Sequence, residues 1–480
     1  MSAYSAFLER VAMPAVGWAV GMPVARYVRE LEASQWWSPE EIRALQWRKF
    51  KRLLDHAYRR VPYYRRRMDE AGVTPDDIRT WEDLARVPIS TKEDLRAAFP
   101  HGTVAAGVDR RSLLVSASSG STGEPFRYYL TRDEKARRWA IIFRYWAWAG
   151  LRPGVPYANL TRSVPGAFHQ GGWLTRLEQR LVRVLELPAL DFSEENAGEY
   201  LARVRRFRPQ VMRGYASSLY YLATHLRERG ETLPLRAVLT LGETLYPHQR
   251  EAIEDAFACT VYDAYGAEAM EVAAQCGRHP GYHINAESIL VEVVDAEGNP
   301  LPPGKRGQLV LTNLENYAMP FIRYNIQDVG VLSEERCPCG RGLPLLGAIE
   351  GRLSDVIITS AGKVLASPFF GMLMMHAEVK QYQFVQERPD RIVLRVVPND
   401  RYSAEEEARI LREVQRYAGP GVEVAVERVE EIPLTRGGKR RWFISCLPSE
   451  EVAKALGAGT SPIPQPPSFS TSGERKRGKG

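Results

Sequence analysis

The chain has 480 residues, of which 44% are hydrophobic and 26% are charged, and its formal net charge is +7. This composition is ordinary for a soluble globular protein with room for two or three domains. Residues 473–480 carry four basic side chains and one acid, so the rest of the chain is only mildly basic. The charge therefore favours small anionic ligands weakly and argues against a nucleic-acid-binding protein.

The chain has five cysteines and no recognisable secretory signal, which predicts a reducing, cytoplasmic location. The apolar run Val11–Pro23 is too short to span a bilayer, so no transmembrane segment is predicted. We expect this run to pack onto the protein body, with a peripheral membrane contact as the alternative. The oligomeric state is left open, and a homodimer is one of the options.

Residues 1–110 are predicted to be mostly helical. Ser38-Pro39-Glu40-Glu41 is typical of a helix start, because serine caps, proline fits the first position and acids suit the first turn. This helix should end at Val61-Pro62, and a second start follows at Thr91-Lys92-Glu93-Asp94. A further helix is predicted from Asp133 to Trp148.

A loop of hydroxyl groups and glycines lies between two strand-like runs, 113–115 and 126–130. Its backbone N–H groups and hydroxyls can point into one concavity, which suits phosphate oxygens. It is not a Walker loop, because the G-x-x-x-x-G-K-[ST] pattern and the following helix are missing. A flexible polar surface loop is the alternative. The candidate phosphate-binding residues are Ser118, Ser119, Gly120, Ser121, Thr122 and Gly123.

Short apolar runs then alternate with helical segments, which predicts α/β layering around a largely parallel sheet. The predicted strands are 155–160, 210–213, 237–241 and 259–262, and the predicted helices are 195–206, 217–229 and 246–257. Ligands in such folds bind at the carboxyl ends of the strands. Two loops are predicted there, one with Gly242 and Glu243 and one spanning Tyr262–Gly266.

From residue 282 to residue 331 the pattern changes to alternating strands broken by turns, which predicts an antiparallel sheet or a small barrel. The fold class is therefore α/β. A large N-terminal domain, residues 1–350, would combine layered α/β sheets with a small barrel-like subdomain. A mobile α+β domain would follow at 351–448, and a disordered tail rich in Gly, Ser and Pro at 449–480.

Four short motifs carry candidate chemistry. Tyr262–Glu268 offers a stacking aromatic, a glycine and a carboxylate, and an ordinary strand and turn is the alternative. Asp328 is predicted at a turn after a strand, where it could accept both ribose hydroxyls or simply cap the turn. Gly351–Asp355, with Arg352, suits a hinge. Lys439 lies in a glycine-tipped loop and could neutralise phosphoryl charge or be a solvated surface lysine.

The order and spacing of these motifs resemble the adenylate-forming (acyl-CoA synthetase) superfamily. Within it the chain is most similar to the phenylacetate–CoA ligase group and its CapK-like relatives in capsular polysaccharide synthesis. The resemblance covers roughly residues 35–448. It rests on Val61–Tyr64, Pro88–Lys92, Ser118–Gly123 and Cys337–Arg341, together with the order of the motifs above.

The resemblance implies an AMP-forming ligase that activates a carboxylic acid with Mg²⁺ and ATP and passes the acyl group to a thiol, usually that of coenzyme A. The loop 118–123 would hold the ATP phosphates, and Gly242 and Glu243 would belong to the nucleotide site. The remaining roles implied are adenine binding for Tyr265 and Gly266, Mg²⁺ for Glu268, ribose for Asp328 and Arg352, a hinge for Leu353–Asp355, and transition-state stabilisation for Lys439.

The chain departs from the family pattern at two places. Tyr265-Gly266-Ala267-Glu268 is one residue short, so that either Glu268 or Glu271 is the working acid. Glu124 stands in the phosphate loop where a lysine is common. Rival functions are transfer to an amine or a carrier protein, and a catalytically weakened relative in surface-polysaccharide synthesis. The acid is not identified, and its pocket is expected near Tyr215, Ser217, Leu241 and Gly242.

The cysteines predict a separate metal site. Cys337 and Cys339, together with one further cysteine and a histidine, make a four-ligand set typical of structural Zn²⁺. Relatives resemble this chain at Cys276, His283 and Cys337-Pro338-Cys339, so these four are the preferred ligands, with His279 as a substitute for the histidine. Free thiols are the alternative, and a catalytic cysteine pair is disfavoured because no base is placed to activate it.

Overall fold

The computed structural model describes residues 3–117, 126–161, 179–192, 196–268, 270–352, 357–359, 364–365, 374, 377–434 and 441–447. The described residues of the chain fall into two compact units. The first takes in those of 1–353 and 430–442, and the second takes in those of 354–429 and 443–480. The domain boundaries expected from the sequence, at 350/351 and 448/449, remain predictions.

The first hundred residues are largely helical. The helices are α1 (Ala3–Phe7), a π-helical turn (Leu8–Ala12), α2 (Met13–Ala19), α3 (Val24–Ser34), α4 (Pro39–Arg60), α5 (Pro62–Glu70) and α6 (Lys92–Ala98). Both predicted helix starts are confirmed. Ser38 accepts a hydrogen bond from the backbone N–H of Glu41 at 3.2 Å, and Thr91 accepts one from Asp94 at 3.1 Å. These caps satisfy backbone donors that the first helical turn leaves unpaired.

A two-stranded hairpin and a long helix follow. Strands β1 (Leu114–Ala117) and β2 (Arg127–Leu130) pair antiparallel, and helix α7 spans Arg132–Trp148 as predicted. One face of α7 is buried against the large sheet, with Ile141, Tyr145 and Trp146 in the core.

Eleven strands form one mixed sheet: β3 (Tyr157–Thr161), β4 (Val184–Pro188), β5 (Val211–Gly214), β6 (Ala237–Leu241), β7 (Thr260–Ala267), β8 (Met270–Ala274), β9 (Tyr282–Ile284), β10 (Ile289–Val294), β11 (Arg306–Asn313), β12 (Tyr324–Leu332) and β13 (Leu345–Arg352). Their order is β10-β11-β12-β13-β9-β8-β7-β6-β5-β3-β4. Strands β4, β3, β5, β6 and β7 run parallel, and the others pair antiparallel.

The α/β fold class is therefore confirmed. The parallel strands alternate with helices α8 (Ala197–Phe207), α9 (Ala216–Glu228) and α10 (Pro247–Phe257). The sequence left open whether residues 282–331 form an antiparallel sheet or a small barrel. In the structure these strands pair antiparallel and continue the same sheet as the parallel strands. Strand β8 makes this possible, because it turns back on β7 and starts the antiparallel half.

Two local predictions were wrong. Tyr262–Gly266 is not a loop but lies within β7, because β8 supplies an antiparallel partner that extends the strand to Ala267. Asp328 is not at a turn after a strand but inside β12. The pairing of β12 with β11 shifts register nearby, and Gln327 has φ +62°. A bulge of this kind lets the strand continue past an extra residue.

Buried ion pairs link the N-terminal helices and α7 to this sheet. Arg144 of α7 donates to Glu287 at 2.6 Å, and Ser34 at the end of α3 donates to the same carboxylate at 2.7 Å. Arg323 donates to Glu292 at 3.1 Å and to the carbonyl of Val87 at 2.7 Å. These contacts place the segment that precedes α6 against β12.

The second unit is a small α+β fold. Its strands are β14 (Ile357–Ile358), β15 (Val364–Leu365), β16 (Val379–Arg388), β17 (Arg391–Pro398), β18 (Glu423–Arg428) and β19 (Phe443–Ser445), and its helix is α11 (Ala404–Ala418). Four of the strands form a sheet in the order β18-β17-β16-β19. In the described ranges of both units, no helix combines the length and the apolar character needed to cross a membrane.

Candidate functional site

The candidate site lies where β7 ends and the antiparallel half of the sheet begins. The parallel strands β5, β6 and β7 end here with Gly214, Leu241 and Ala267. Polar side chains from β7, β12 and α6 meet at this edge. Carboxyl ends of parallel strands are the usual ligand-binding edge of an open α/β sheet.

Tyr265 and Asp328 are brought together although 63 residues separate them. The Tyr265 hydroxyl donates to Oδ2 of Asp328. Asp328 is buried, with 9% of its surface exposed, and Arg352 lies opposite it in the antiparallel register of β12 and β13. The structure thus gathers an aromatic ring, a carboxylate and the backbone position of an arginine that the sequence assigned to one nucleotide site.

Glu268 sits at the tip of the hairpin between β7 and β8. Ala267 pairs with Met270, so only two residues form the turn, and Glu268 has φ +49°. A two-residue hairpin favours positive φ, which is strained for a residue with a Cβ. The Tyr128 hydroxyl donates to the backbone carbonyl of Glu268 at 3.2 Å. The short Tyr-Gly-x-Glu spacing therefore corresponds to a tight turn that presents the acid.

The two candidate acids have different surroundings. Oε1 of Glu271 accepts a hydrogen bond from Nε of Arg138 at 2.9 Å. Oε2 of Glu268 is buried, and it accepts no hydrogen bond from any residue that the structure describes. An uncompensated carboxylate oxygen is costly to bury, so Glu268 has the oxygen available for a cation or a donor on a ligand.

Lys92 is a candidate that sequence reasoning missed. Its Nζ lies 3.5 Å from Oε1 of Glu268, and both side chains are mostly buried. The position is fixed two residues earlier, where Ser90 exchanges backbone hydrogen bonds with Arg323 and Asn325 at 2.9 Å. The signal was present in Thr91-Lys92-Glu93-Asp94, but these residues also explain a helix start, and only the fold brings them to β12.

Gly242 and Glu243 follow β6. Gly242 has φ +73°, which favours glycine. Oε2 of Glu243 accepts a hydrogen bond from the backbone N–H of Ser217 at 2.9 Å, at the start of α9. A carboxylate at a helix N-terminus is stabilising, so Glu243 has a structural contact beside any role in ligand binding.

Several predicted site residues lie outside the described part of the chain. These are the phosphate loop Ser118, Ser119, Gly120, Ser121, Thr122 and Gly123, the hinge Leu353–Asp355, and Lys439. Their assignments stay predictions from the sequence.

Cys276, His283, Cys337 and Cys339 form a cluster of candidate metal ligands. Their four ligand atoms all lie within 4.8 Å of one another. Sγ of Cys276 is 3.5 Å from Sγ of Cys337, and Sγ of Cys339 is 3.3 Å from Nε2 of His283. Burial lowers the pKa of His283 to about 4, which keeps the imidazole in the neutral form that binds metals.

The donor set fits a zinc ion. Three thiols and one imidazole are ligands that Zn²⁺ prefers, and a tetrahedral site needs sulfur atoms roughly 3.7 Å apart. The predicted substitute, His279, is not part of the cluster; its ring packs edge-on against Tyr262 instead, 5.7 Å away. The structure thus gathers the four preferred residues, while the metal itself remains a prediction.

Comparisons with known proteins place the chain in a family. The chain is 34% identical to a phenylacetate–coenzyme A ligase of Thermus thermophilus over 359 residues, which cover 73% of this chain and 79% of the relative. It is 21% identical to protein CapK of Staphylococcus aureus, over 84% of this chain and 88% of CapK. The family described as the CapK C-terminal domain matches residues 357–446.

Solved structures agree with the fold. A 2-hydroxyisobutyryl-CoA ligase in the postadenylation state, in complex with 2-HIB-AMP, superposes with a TM-score of 0.66 at 24% identity, covering 87% of this chain and 92% of that one. The same ligase in the thioesterification state, with 2-HIB-AMP and CoA, has a TM-score of 0.54 at 26% identity over the same shares.

Together the fold and the relatives define an adenylate-forming enzyme. The chain belongs to the phenylacetate–coenzyme A ligase family. The family and the enzyme class predicted from the sequence, an AMP-forming acid–thiol ligase, are confirmed.

Proposed function

We propose that this protein joins a carboxylic acid to coenzyme A with ATP. A carboxylate oxygen of the acid attacks the α-phosphorus of ATP, the bond from that phosphorus to the bridging oxygen breaks, and pyrophosphate leaves. The thiol sulfur of coenzyme A then attacks the carbonyl carbon of the acyl-adenylate, AMP leaves, and the thiol proton passes to solvent. The observation that carries this proposal is the meeting of Tyr265 with Asp328, and of Glu268 with Lys92, at the ligand-binding edge of the sheet.

The nucleoside part of ATP would bind along β7 and β12. Tyr265 and Gly266 would line the adenine site, and Asp328, held by Tyr265, would accept the ribose hydroxyls. Arg352 would join Asp328 at the ribose, which its position opposite Asp328 supports. Gly242 and Glu243 would contribute from the end of β6.

The phosphates would lie over Glu268 and Lys92. The loop 118–123 would wrap them with N–H groups and hydroxyls, and Lys439 would stabilise the adenylation transition state. Mg²⁺, when bound through Glu268, would neutralise phosphate charge. Lys92 supports this arrangement, because it supplies a cation beside a carboxylate whose second oxygen accepts no hydrogen bond from the described residues.

Three further proposals concern the setting of the reaction. Residues 351–448 would form a mobile domain, because the two half-reactions need different groups at one site. The cluster of Cys276, His283, Cys337 and Cys339 would hold a structural Zn²⁺. The reaction needs ATP and the reduced thiol of coenzyme A, which favours a cytoplasmic location. The assembly state, including a homodimer, is open to measurement.

The test is ATP-dependent pyrophosphate release against a mixed panel of aromatic and aliphatic carboxylates, with and without coenzyme A. We expect release that requires one class of acid and rises when coenzyme A is added. Release that coenzyme A does not stimulate would point to an amine or a carrier-protein thiol as the acceptor. If no acid of the panel gives pyrophosphate release and the protein does not bind ATP, the proposal is overturned.

Lys92→Met sharpens this test. We expect pyrophosphate release to fall by about 10²-fold, as when one transition-state electrostatic contact is lost. Lys305→Met is the matched control, because Lys305 is an exposed lysine in the turn before β11. Equal activity of the two variants would remove Lys92 from the phosphate site.

The CapK relatives favour a second candidate function, a catalytically weakened member that serves surface-polysaccharide synthesis. The match of residues 357–446 to the CapK C-terminal domain is the observation behind it. Lys439→Ala separates the two. If the substitution leaves the biological role intact, the role is not catalytic. If the role is lost together with pyrophosphate release, the ligase function is supported.

A further inference from the structure

An apolar, positively charged face lies at the N-terminus of the chain. The helical segment 3–19 exposes Tyr4, Phe7, Val11 and Trp18, with 38%, 53%, 53% and 88% of their surfaces accessible. Val16 is exposed as well, and these side chains are spread over all three helical pieces of the segment, of which Leu8–Ala12 is π-helical. We call the surface that they expose the N-terminal apolar face.

A second exposed segment continues this face. The Tyr4 hydroxyl donates to the carbonyl of Leu181 at 2.6 Å, and Leu181 and Val182 are both exposed. Seven of the eleven exposed large hydrophobic side chains among the described residues fall in these two segments. Single exposed apolar residues are ordinary, but such a concentration marks a surface that binds something.

The helical segment is seated on the protein rather than hanging free. Ser5 is buried, and a Cβ on Gly154 would lie 3.0–3.2 Å from atoms of Tyr4, Leu8 and Ser5. Glu9 pairs with Arg152 of the protein body at 3.5 Å. The contacts on one side therefore hold the apolar side chains outward.

In the described segments 3–19 and 179–183, every exposed charged side chain is an arginine. Arg10 is the one charged residue among the exposed residues of 3–19, because Glu9 is turned toward Arg152. Arg180 and Arg183, both exposed, flank Leu181 and Val182. Aromatic side chains beside arginines suit the boundary between the headgroups and acyl chains of a bilayer with anionic lipids.

We propose that this face binds the surface of a membrane containing anionic phospholipids. Trp18 and Phe7 would enter the headgroup boundary, and Arg10, Arg180 and Arg183 would contact lipid phosphates. The segment would lie in the plane of the membrane, since no described helix can cross one. A second copy of the chain is the competing occupant, but equal arginine rims would repel each other across such an interface.

The test is co-sedimentation of the full chain with vesicles of phosphatidylcholine, alone or mixed with phosphatidylglycerol. We expect binding to the mixed vesicles that weakens as salt is raised. Phe7→Ser combined with Trp18→Ser should weaken partitioning at least about tenfold, because two apolar anchors are lost. Arg10→Gln with Arg180→Gln should weaken binding to the anionic vesicles only.

Two controls keep the proposal open to refutation. Leu190→Ser removes an exposed leucine at the far end of β4 from Val182 and should bind as the wild type does. Trp18→Phe should keep binding, which separates loss of an anchor from misfolding. Wild-type and Phe7→Ser/Trp18→Ser proteins that sediment equally would overturn the proposal. So would a dimer, without vesicle binding, that dissociates in the double variant.

Discussion

Glu268 and Glu271 are three residues apart, yet they occupy different chemical settings. Glu268 is carried on a strained two-residue turn beside Lys92, whereas Glu271 is tied to Arg138. Strain at a non-glycine residue is kept where a side chain must be presented in one direction. We therefore expect Glu268 to be the working acid, because its buried Oε2 accepts no hydrogen bond from the residues that the structure describes.

We expect Glu268→Gln to lower ATP-dependent pyrophosphate release by about 10²-fold, because it removes the charge that would hold Mg²⁺. It should change the melting temperature less than Glu271→Gln does, because Glu268 lies 3.5 Å from Lys92 whereas Glu271 accepts a hydrogen bond from Arg138 at 2.9 Å. Glu271→Gln should instead lower the melting temperature, because it leaves Arg138 without its ion pair. Paired activity and thermal melts check this. The reverse pattern would make Glu271 the working acid.

Glu134, in the first turn of α7, should give stability a pH dependence. Burial raises its pKa to about 8, from an ordinary value of 4.5, although Asn313 donates to it at 3.0 Å. The folded state then holds a proton that the unfolded chain releases. The free energy of unfolding should fall as pH rises from about 4.5 to about 8, and should level off above that.

Glu134→Gln removes this dependence while keeping an acceptor for Asn313. We expect the free energy of unfolding of the variant to rise relative to that of the wild type across the same pH window. The difference should reach roughly 2–5 kcal/mol at the upper end. Denaturant unfolding at several pH values measures it. Glu199→Gln, on the exposed side of α8, should follow the wild-type profile. A constant offset between Glu134→Gln and the wild type would refute the linkage.

At the scale of elements, α7 is fastened to the sheet by a buried charge. The Arg144 side chain is fully buried, and it donates to Glu287 and, at 2.7 Å, to Asn285. The same Glu287 carboxylate accepts from Ser34 of α3. One carboxylate thus joins two helices to the segment between β9 and β10.

Arg144→Met should cost about 3–5 kcal/mol in the free energy of unfolding, because Glu287 keeps its charge without a counterion. Arg144→Met combined with Glu287→Leu should recover much of that loss. A denaturant-based double-mutant cycle measures both. Additive losses in the double variant would show that the two side chains act independently.

At the scale of the whole molecule, the cysteine cluster joins distant parts of the chain. Cys276 follows β8, His283 lies in β9, and Cys337 and Cys339 lie between β12 and β13. Trp148, the last residue of α7, packs against His283 with ring centroids 5.5 Å apart. A metal here would tie the end of α7 to the antiparallel half of the sheet.

We expect about one zinc per chain in purified protein, and a fall in melting temperature when a chelator removes it, because bound metal stabilises only the folded state. Cys337→Ser should lose the metal. Cys446→Ser, which alters an exposed cysteine outside the cluster, should keep it. Metal-free protein with an unchanged melting temperature would leave the free-thiol alternative.

The sequence by itself determined the class of fold, the starts of two N-terminal helices, several strands and helices of the parallel half, and the family. Apolar periodicity and capping residues are local, so Ser38, Thr91 and the run Ala237–Leu241 could be interpreted without knowing their neighbours. The motif order likewise grouped Tyr265, Asp328 and Arg352 before their pairing was known. The four cysteine-cluster residues could be named because relatives resemble this chain at those positions.

Only the tertiary structure decided contacts made across the sheet. Tyr262–Gly266 and Asp328 were predicted in turns, because glycine and polar residues are typical of turns, but hydrogen bonds from β8 and β13 hold them in strands. The position of Lys92 depends on a pairing between Ser90 and Tyr324, which are 234 positions apart in the sequence. Local pattern carries no information about such partners, because strand pairing and ion pairs depend on which segments the completed sheet brings side by side.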